Sequence, residues 1–421
     1  ISRALVAYRL VGTPPGRAPP LSLLSDIWDG GSLERLASLR VGVGKIVMHA
    51  ASCASGASLG PEGPSVHLAA CVAATLAKLF RAPPPFIRAA MTSGAAASIA
   101  VLFNAPLGGL LFAVEELAGE YDHFGMRSLT VVSLALALCC ARLFTPALFS
   151  DALFLGAREH AASSGDWAAA AVIGALLGIA GGAFARIVIF AAMLRRRHVT
   201  RTRAALFAAF VGLAVTALNF AADGALYGGG EHISRALLDT ASTNQTLSFD
   251  TSSQWYAPLK ALSTLLCAAS DLTGGAFVPV QSIGVGLGVH MAKLCTWSSP
   301  ETVLVLSLVA FFSAFSQGPM STVAAAAEMT AMSINKVPMA LMAGAVAAAV
   351  SKIVCAYPIY LYTARLGGQR AGESAAERER GREEIELAER TESGRYENGS
   401  SAESLLILSQ ASSASLKINV E

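Results

Sequence analysis

Residues 60–64 read Gly60-Pro61-Glu62-Gly63-Pro64, and residues 275–279 read Gly275-Ala276-Phe277-Val278-Pro279. Each pairs a glycine with a proline four positions on, at the entrance to an apolar run. Proline suits the first turn of a helix, where its missing N–H costs nothing. Glycine lets backbone N–H groups come close to a ligand. Both stretches therefore predict helix N-termini. A second breaker follows each one: Asn104-Ala105-Pro106-Leu107 in the first half, Gln317-Gly318-Pro319-Met320 in the second. Glu115 lies nine residues past Pro106, and Glu328 nine past Pro319. The offsets agree, since 279 − 64 = 215 and 319 − 106 = 213. Two weakly similar halves with corresponding broken helices point to a binding site where the halves meet.

The surroundings of these motifs are lipid-like. Of the 421 residues, 54% are apolar and 14% charged, against about 25% charged in a soluble domain. Residues 370–397 hold 15 of the 60 charges, 6 basic and 9 acidic. The rest of the chain is too sparsely charged to cover a soluble surface. A polytopic membrane protein is expected. This excludes a soluble enzyme, a nucleic-acid binder and a disordered scaffold. The net charge of +2 indicates no polyanionic partner. Apolar stretches follow one another at about 38–54, 65–80, 86–102, 107–118, 128–149, 168–194, 204–222, 255–270, 277–296, 302–315, 320–333 and 337–364. Several fall short of the roughly 20 residues a simple spanning helix needs. Short, interrupted segments suit a transporter or channel, where freed backbone groups line a wet cavity.

A helix N-terminus carries unpaired N–H donors and a partial positive charge. Four such ends, near 62, 105, 277 and 318, could converge on an anion without any buried lysine. No basic residue lies inside the four motifs, which favours an anion substrate over a cation. Glu62 is the odd residue. Ionised, its carboxylate competes with an anion for the helix end; protonated, it can leave. Glu62 thus reads as a gate and a proton carrier together; the plain alternative is a carboxylate stabilising a helix dipole.

These motifs, taken in order, resemble those of the CLC family of chloride channels and chloride/proton exchangers. GPEGP at 60–64 is similar to the family's G-K/R-E-G-P, and GAFVP at 275–279 to its G-x-F-x-P. The run from Gly94-Ala95-Ala96-Ala97 through Phe103-Asn104-Ala105-Pro106-Leu107 to Glu115-Glu116 resembles the segment between them. Pro358-Ile359-Tyr360 resembles the late P-L-Y. The resemblance covers about 35–366. It implies an all-α polytopic membrane protein of two inverted repeats of broken transmembrane helices. It implies Glu62 as the external gate and Glu116 as the proton relay. It places backbone N–H groups around Gly63, Ala276, Phe277 and Val278 against the anion, with the Tyr360 hydroxyl closing the site from the cytoplasmic side. Transmembrane chloride transport is expected, as proton-coupled exchange. A passive voltage-gated chloride channel and a transport-dead paralogue with an assembly role are the alternatives. The expected partners are chloride or a similar small anion, protons, the lipid bilayer and a second copy of the chain in a homodimer. No cofactor, metal or nucleic acid is implied.

The expected organisation is a non-membrane or divergent segment over 1–35, a first repeat over 36–203, a second over 204–366 and a charged, Ser-rich cytoplasmic tail over 367–421. Arg195, Arg196, Arg197, Arg201 and Arg203 put their loop on the cytoplasmic side. Two departures stand out. Pro61 replaces the family's basic residue beside the gate. The family's G-S-G-I-P motif has no counterpart upstream of residue 35, where Leu21 to Asp26 has serines without the glycines. The amino-terminal part of the fold is therefore expected to be incomplete, and the tail too short for the paired nucleotide-binding modules some members carry.

Weaker patterns have plainer readings. Gly56-Ala57-Ser58-Leu59-Gly60 fits a nucleophile elbow, but the preceding residues read as a helix rather than a strand. Gly174/Gly178/Gly182 and Gly284/Gly288 suit close helix packing within the chain, or a dimer interface. His67 reads as a helix-packing residue. The seven cysteines show no metal-binding spacing. Asn244-Gln245-Thr246 is a glycosylation sequon.

Overall fold

The computed structural model describes residues 38–117, 135, 138–139, 143, 164–199, 204–243, 251–270, 272–356 and 359. Expectations that fall on Leu21 to Asp26, Arg201, Arg203, Asn244, Tyr360 and the tail lie outside these residues, as does most of the apolar run 128–149. The side chains of Glu116, Arg196 and Arg197 lie outside them too.

Twelve α-helices run through the described residues. They are α1 (Leu39–Ala54), α2 (Glu62–Leu79), α3 (Pro84–Phe103), α4 (Pro106–Phe112), α5 (Ser164–His198), α6 (Ala204–Ala221), α7 (Glu231–Ser242), α8 (Thr251–Ala269), α9 (Phe277–Leu294), α10 (Pro300–Ser316), α11 (Pro319–Met329) and α12 (Val337–Val354). A π-helical turn, Ala113–Leu117, continues α4. Eleven of the twelve coincide with predicted apolar runs. The exception is α7, whose mixed polar sequence carries no long apolar stretch. It buries Ser234, Leu237, Leu238 and Ala241 along one face. Two stretches, Ser164–Arg195 and Ile334–Val354, are long and apolar enough to cross a bilayer unaided.

Helix starts and stops follow local chemistry. Ser38 accepts from the Val41 N–H at 3.4 Å and caps α1. Ser299 accepts from the Thr302 N–H at 3.3 Å and caps α10. Asn104 (φ 49°) and Gln317 (φ 61°) end α3 and α10 in the left-handed conformation. A proline two residues later then opens α4 or α11. These two corners sit 213 residues apart, the same offset that separates their prolines. Helix α10 is buried all round from Glu301 to Ser316, so it forms the axis of the core.

Glycines set the closest crossings. A Cβ at Gly174 would lie 2.8 Å from the Ala343 carbonyl oxygen, at Gly178 3.0 Å from Ala347 Cα, and at Gly182 3.0 Å from Ser351 Cα. The Gly174/Gly178/Gly182 face of α5 is thus filled by α12 of the same chain. Gly284 and Gly288 of α9 pack likewise on Leu308 and Leu304 of α10. Both small-residue faces are thus used for packing within the chain.

Candidate functional site

The two Gly–Pro motifs meet. Gly60 donates its N–H to the Gly275 carbonyl at 2.9 Å, and Gly275 returns the bond to Gly60 at 2.7 Å. This antiparallel bridge relates two residues 215 apart in sequence. It brings the N-termini of α2 and α9 together. Glu62, in the first turn of α2, is 3% exposed. Its Oε1 accepts from the Val278 N–H in the first turn of α9. Its Oε2 is buried and accepts no hydrogen bond from the described residues. A Cβ at Gly60 or at Gly275 would overlap this carboxylate, so only glycine admits it at either place. A Cβ at Gly63 would lie 3.1 Å from the Gly274 carbonyl oxygen, which accounts for the third glycine. Pro61 keeps φ −77° and ψ −6° as the N-cap of α2, and its carbonyl accepts from the Ser65 N–H at 3.0 Å. The basic residue's replacement thus leaves the helix start intact.

Phe277 fixes the other wall. Its ring stacks on Phe103 at a centroid distance of 4.8 Å, meets Phe312 at 4.2 Å and faces the edge of Phe112 at 6.3 Å. Helices α3, α4, α9 and α10 thereby converge on the start of α9. Gly63, Ala276, Phe277 and Val278 are therefore gathered around Glu62.

The other two helix ends do not join them. Glu328, at the end of α11, accepts from the N–H groups of Leu107 at 3.1 Å and Gly108 at 2.9 Å. Glu115 accepts from Met320 at 3.2 Å and Ser321 at 2.7 Å. Each repeat's glutamate thus caps the other repeat's short helix. The expectation of four converging ends is corrected to two: the starts of α4 and α11 already hold carboxylates, which satisfy their donors and neutralise their positive ends.

A family profile described as "Voltage gated chloride channel" matches residues 27–352. The chain belongs to the CLC family. It is accordingly an integral membrane protein, and its family consists of transporters and channels. It is 28% identical over 268 residues to "Chloride channel protein CLC-e" of Arabidopsis thaliana, covering 62% of this chain and 38% of that protein. The chain thus spans well under half of that relative's length. Its fold is similar to a slow cyanobacterial Cl−/H+ antiporter, with a TM-score of 0.71, 20% identity and coverage of 84% of this chain and 82% of the other. A CLC-type fluoride/proton antiporter matches with a TM-score of 0.59, 23% identity and coverage of 72% and 73%.

Within this family member, Glu116 sits in the π-helical turn after α4. Ser58 is fully buried, with its hydroxyl 2.9 Å from that of Thr264 and its N–H on the Cys267 sulfur. No strand precedes it, so the nucleophile-elbow pattern is a packing feature. His67 is fully buried within α2, in keeping with a packing role.

A buried lysine lies outside the four motifs. Lys260 of α8 is 0% exposed. Its ammonium donates to the Leu226 carbonyl at 2.8 Å and the Gly228 carbonyl at 2.7 Å. Through Gly228 it holds the turn whose next residue, Gly229, abuts the Val278 side chain. Its partners are main-chain oxygens 34 and 32 residues away, which residue types alone do not signal.

Proposed function

We propose that the protein carries chloride or a similar small anion across the membrane in exchange for protons, gated by Glu62. One observation carries this reading: the Glu62 carboxylate occupies the meeting point of two helix N-termini, the position a bound anion would take. The Val278 N–H that holds it is a donor of the kind such an anion needs. A buried carboxylate with one unsatisfied oxygen is costly while ionised. Protonation removes the charge, weakens the hold of the helix ends and frees the donors for a halide. Gating and proton carriage then reside in one residue.

In this reading the N–H groups around Gly63, Ala276, Phe277 and Val278 receive the anion. Tyr360 closes the path from the cytoplasmic side, and Glu116 passes protons away from the anion route. The repeats span 36–203 and 204–366, and the chain pairs into a homodimer with one path per subunit. Native mass in mild detergent tests the pairing, and a monomer would refute it.

The decisive experiment is Glu62→Gln in reconstituted vesicles. Glutamine mimics the neutral carboxyl permanently. Chloride flux should persist, lose its pH dependence and cease to move protons. A well-folded Glu62→Gln protein that retains pH dependence and proton coupling would defeat the gating role. A wild-type protein that moves chloride but no protons would instead indicate a passive channel.

A further inference from the structure

The segment Leu226 to Glu231 lies between the two halves of the site. Toward the first half, the Gly228 N–H donates to the Ala57 carbonyl at 3.1 Å, three residues before Gly60. Toward the second half, Gly229 and Gly230 press on α9. A Cβ at Gly229 would strike both the Val278 side chain and the Glu231 carboxylate. One at Gly230, whose φ is +92°, would strike Ser282 and Tyr256 and lie 3.1 Å from Lys260 Cε. Glu231 and Val278 therefore sit against the same glycine, and the Val278 N–H is the one that holds Glu62.

Lys260 pins this segment from behind through the Leu226 and Gly228 carbonyls. A network of hydroxyls completes the anchor. Tyr256 and Ser282 lie 2.5 Å apart, Ser234 donates to Ser282 at 2.8 Å, and Ser282 donates to the Gly230 carbonyl at 3.0 Å. Lys260 Nζ is held by carbonyl oxygens rather than by a carboxylate, and in a low-dielectric interior such a charge acts over a long distance. The charged or titratable groups that reach Lys260 are Glu231 of α7, Cys267 of α8, Cys53 of α1 and Glu62 of α2. Those around Glu62 include Glu231, Lys260 and Cys53.

We infer that Lys260 is a positioning residue and counter-charge of the Glu62 gate, and that Glu231 opposes it from the adjoining turn. Lys260 holds the segment that ties the Glu62 arm to the Val278 arm, and its charge favours the ionised, closed gate. Glu231, partly exposed on the same segment, favours the neutral, open one. The inference rests on the gating role proposed for Glu62.

The test is chloride flux against pH in reconstituted vesicles for the wild type, Lys260→Met, Lys260→Arg and Glu231→Gln, each repeated with Glu62→Gln. Removing the positive charge should move the pH of half-maximal flux toward alkaline by about one unit. Lys260→Arg should restore it. Glu231→Gln should move it in the acid direction. With Glu62→Gln both displacements should vanish, because no gate remains to sense the charge. Equal midpoints for Lys260→Met and wild type, displacements of the same sign for both variants, or displacements that survive Glu62→Gln would overturn the inference. Should Lys260→Met fail to fold, Glu231→Gln decides alone by the sign of its shift. Absence of chloride flux in the wild type would instead overturn the functional reading beneath it.

Discussion

Removing the Glu115 carboxylate should destabilise the protein without altering its anion chemistry. The carboxylate takes two backbone N–H groups at the start of α11, Met320 at 3.2 Å and Ser321 at 2.7 Å. A hydrogen bond to a charged acceptor contributes about 1.5–3 kcal/mol, and a negative charge at a helix start about 0.3–1 kcal/mol more. The Met320 bond is long and exposed, so most of the effect belongs to Ser321. Glu115→Ala should therefore cost about 2–4 kcal/mol. Glu115→Gln keeps one acceptor and loses the charge, so it should cost about half as much. Glu328 makes the matching pair of bonds to α4, and Glu328→Ala should behave alike. Thermal unfolding in mild detergent reads the effect as a midpoint lowered by about 2–5 °C for either alanine variant. Chloride affinity by calorimetry should stay at the wild-type value. An unchanged midpoint would refute the capping argument. A normal midpoint with altered chloride affinity would return the start of α11 to the list of anion sites.

Much of this architecture was legible before the structure. The apolar runs, the prolines at helix starts and the common offset of the two halves all reflect short-range chemistry that residue types express directly. The meeting of Gly60 with Gly275 follows from that offset, once corresponding broken helices are taken to face each other. The assignment of helix ends was not legible. Glu115 and Glu328 lie nine residues past their prolines, in matching places; their donors lie 205–206 and 220–221 residues away, in the opposite repeat. A carboxylate's spacing reveals its helix but not the end it caps. Two further features were hidden for related reasons. Helix α7 holds its place through one buried face of a polar sequence, so a search for apolar runs passes over it. Lys260 stands among apolar neighbours in α8, and the carbonyls that accommodate its charge belong to a turn that any sequence with suitable glycines could form.

Three more outcomes follow from the site. Gly60→Ala and Gly275→Ala should each fold yet displace the Glu62 carboxylate, because the added Cβ would overlap it; flux should then lose pH dependence in part, and an unaltered flux–pH profile would show that the carboxylate is not held there. Tyr360→Phe keeps the ring and removes one donor, so calorimetry should show chloride binding weakened by about 1.5–3 kcal/mol; unchanged affinity would remove Tyr360 from the path. Glu116→Val is the sharpest probe of coupling. The residue stands in a π-helical turn, Ala113–Leu117, an irregularity often found at functional positions. Its neighbour Glu115 is committed to capping α11, and no such commitment at the corresponding place in the second repeat requires a glutamate at 116. If Glu116 relays protons, valine should leave chloride flux largely intact while a chloride gradient no longer drives proton uptake. If it serves only to end the helix, coupling should survive and stability alone should fall, so proton uptake at the wild-type ratio in Glu116→Val vesicles would assign the relay elsewhere.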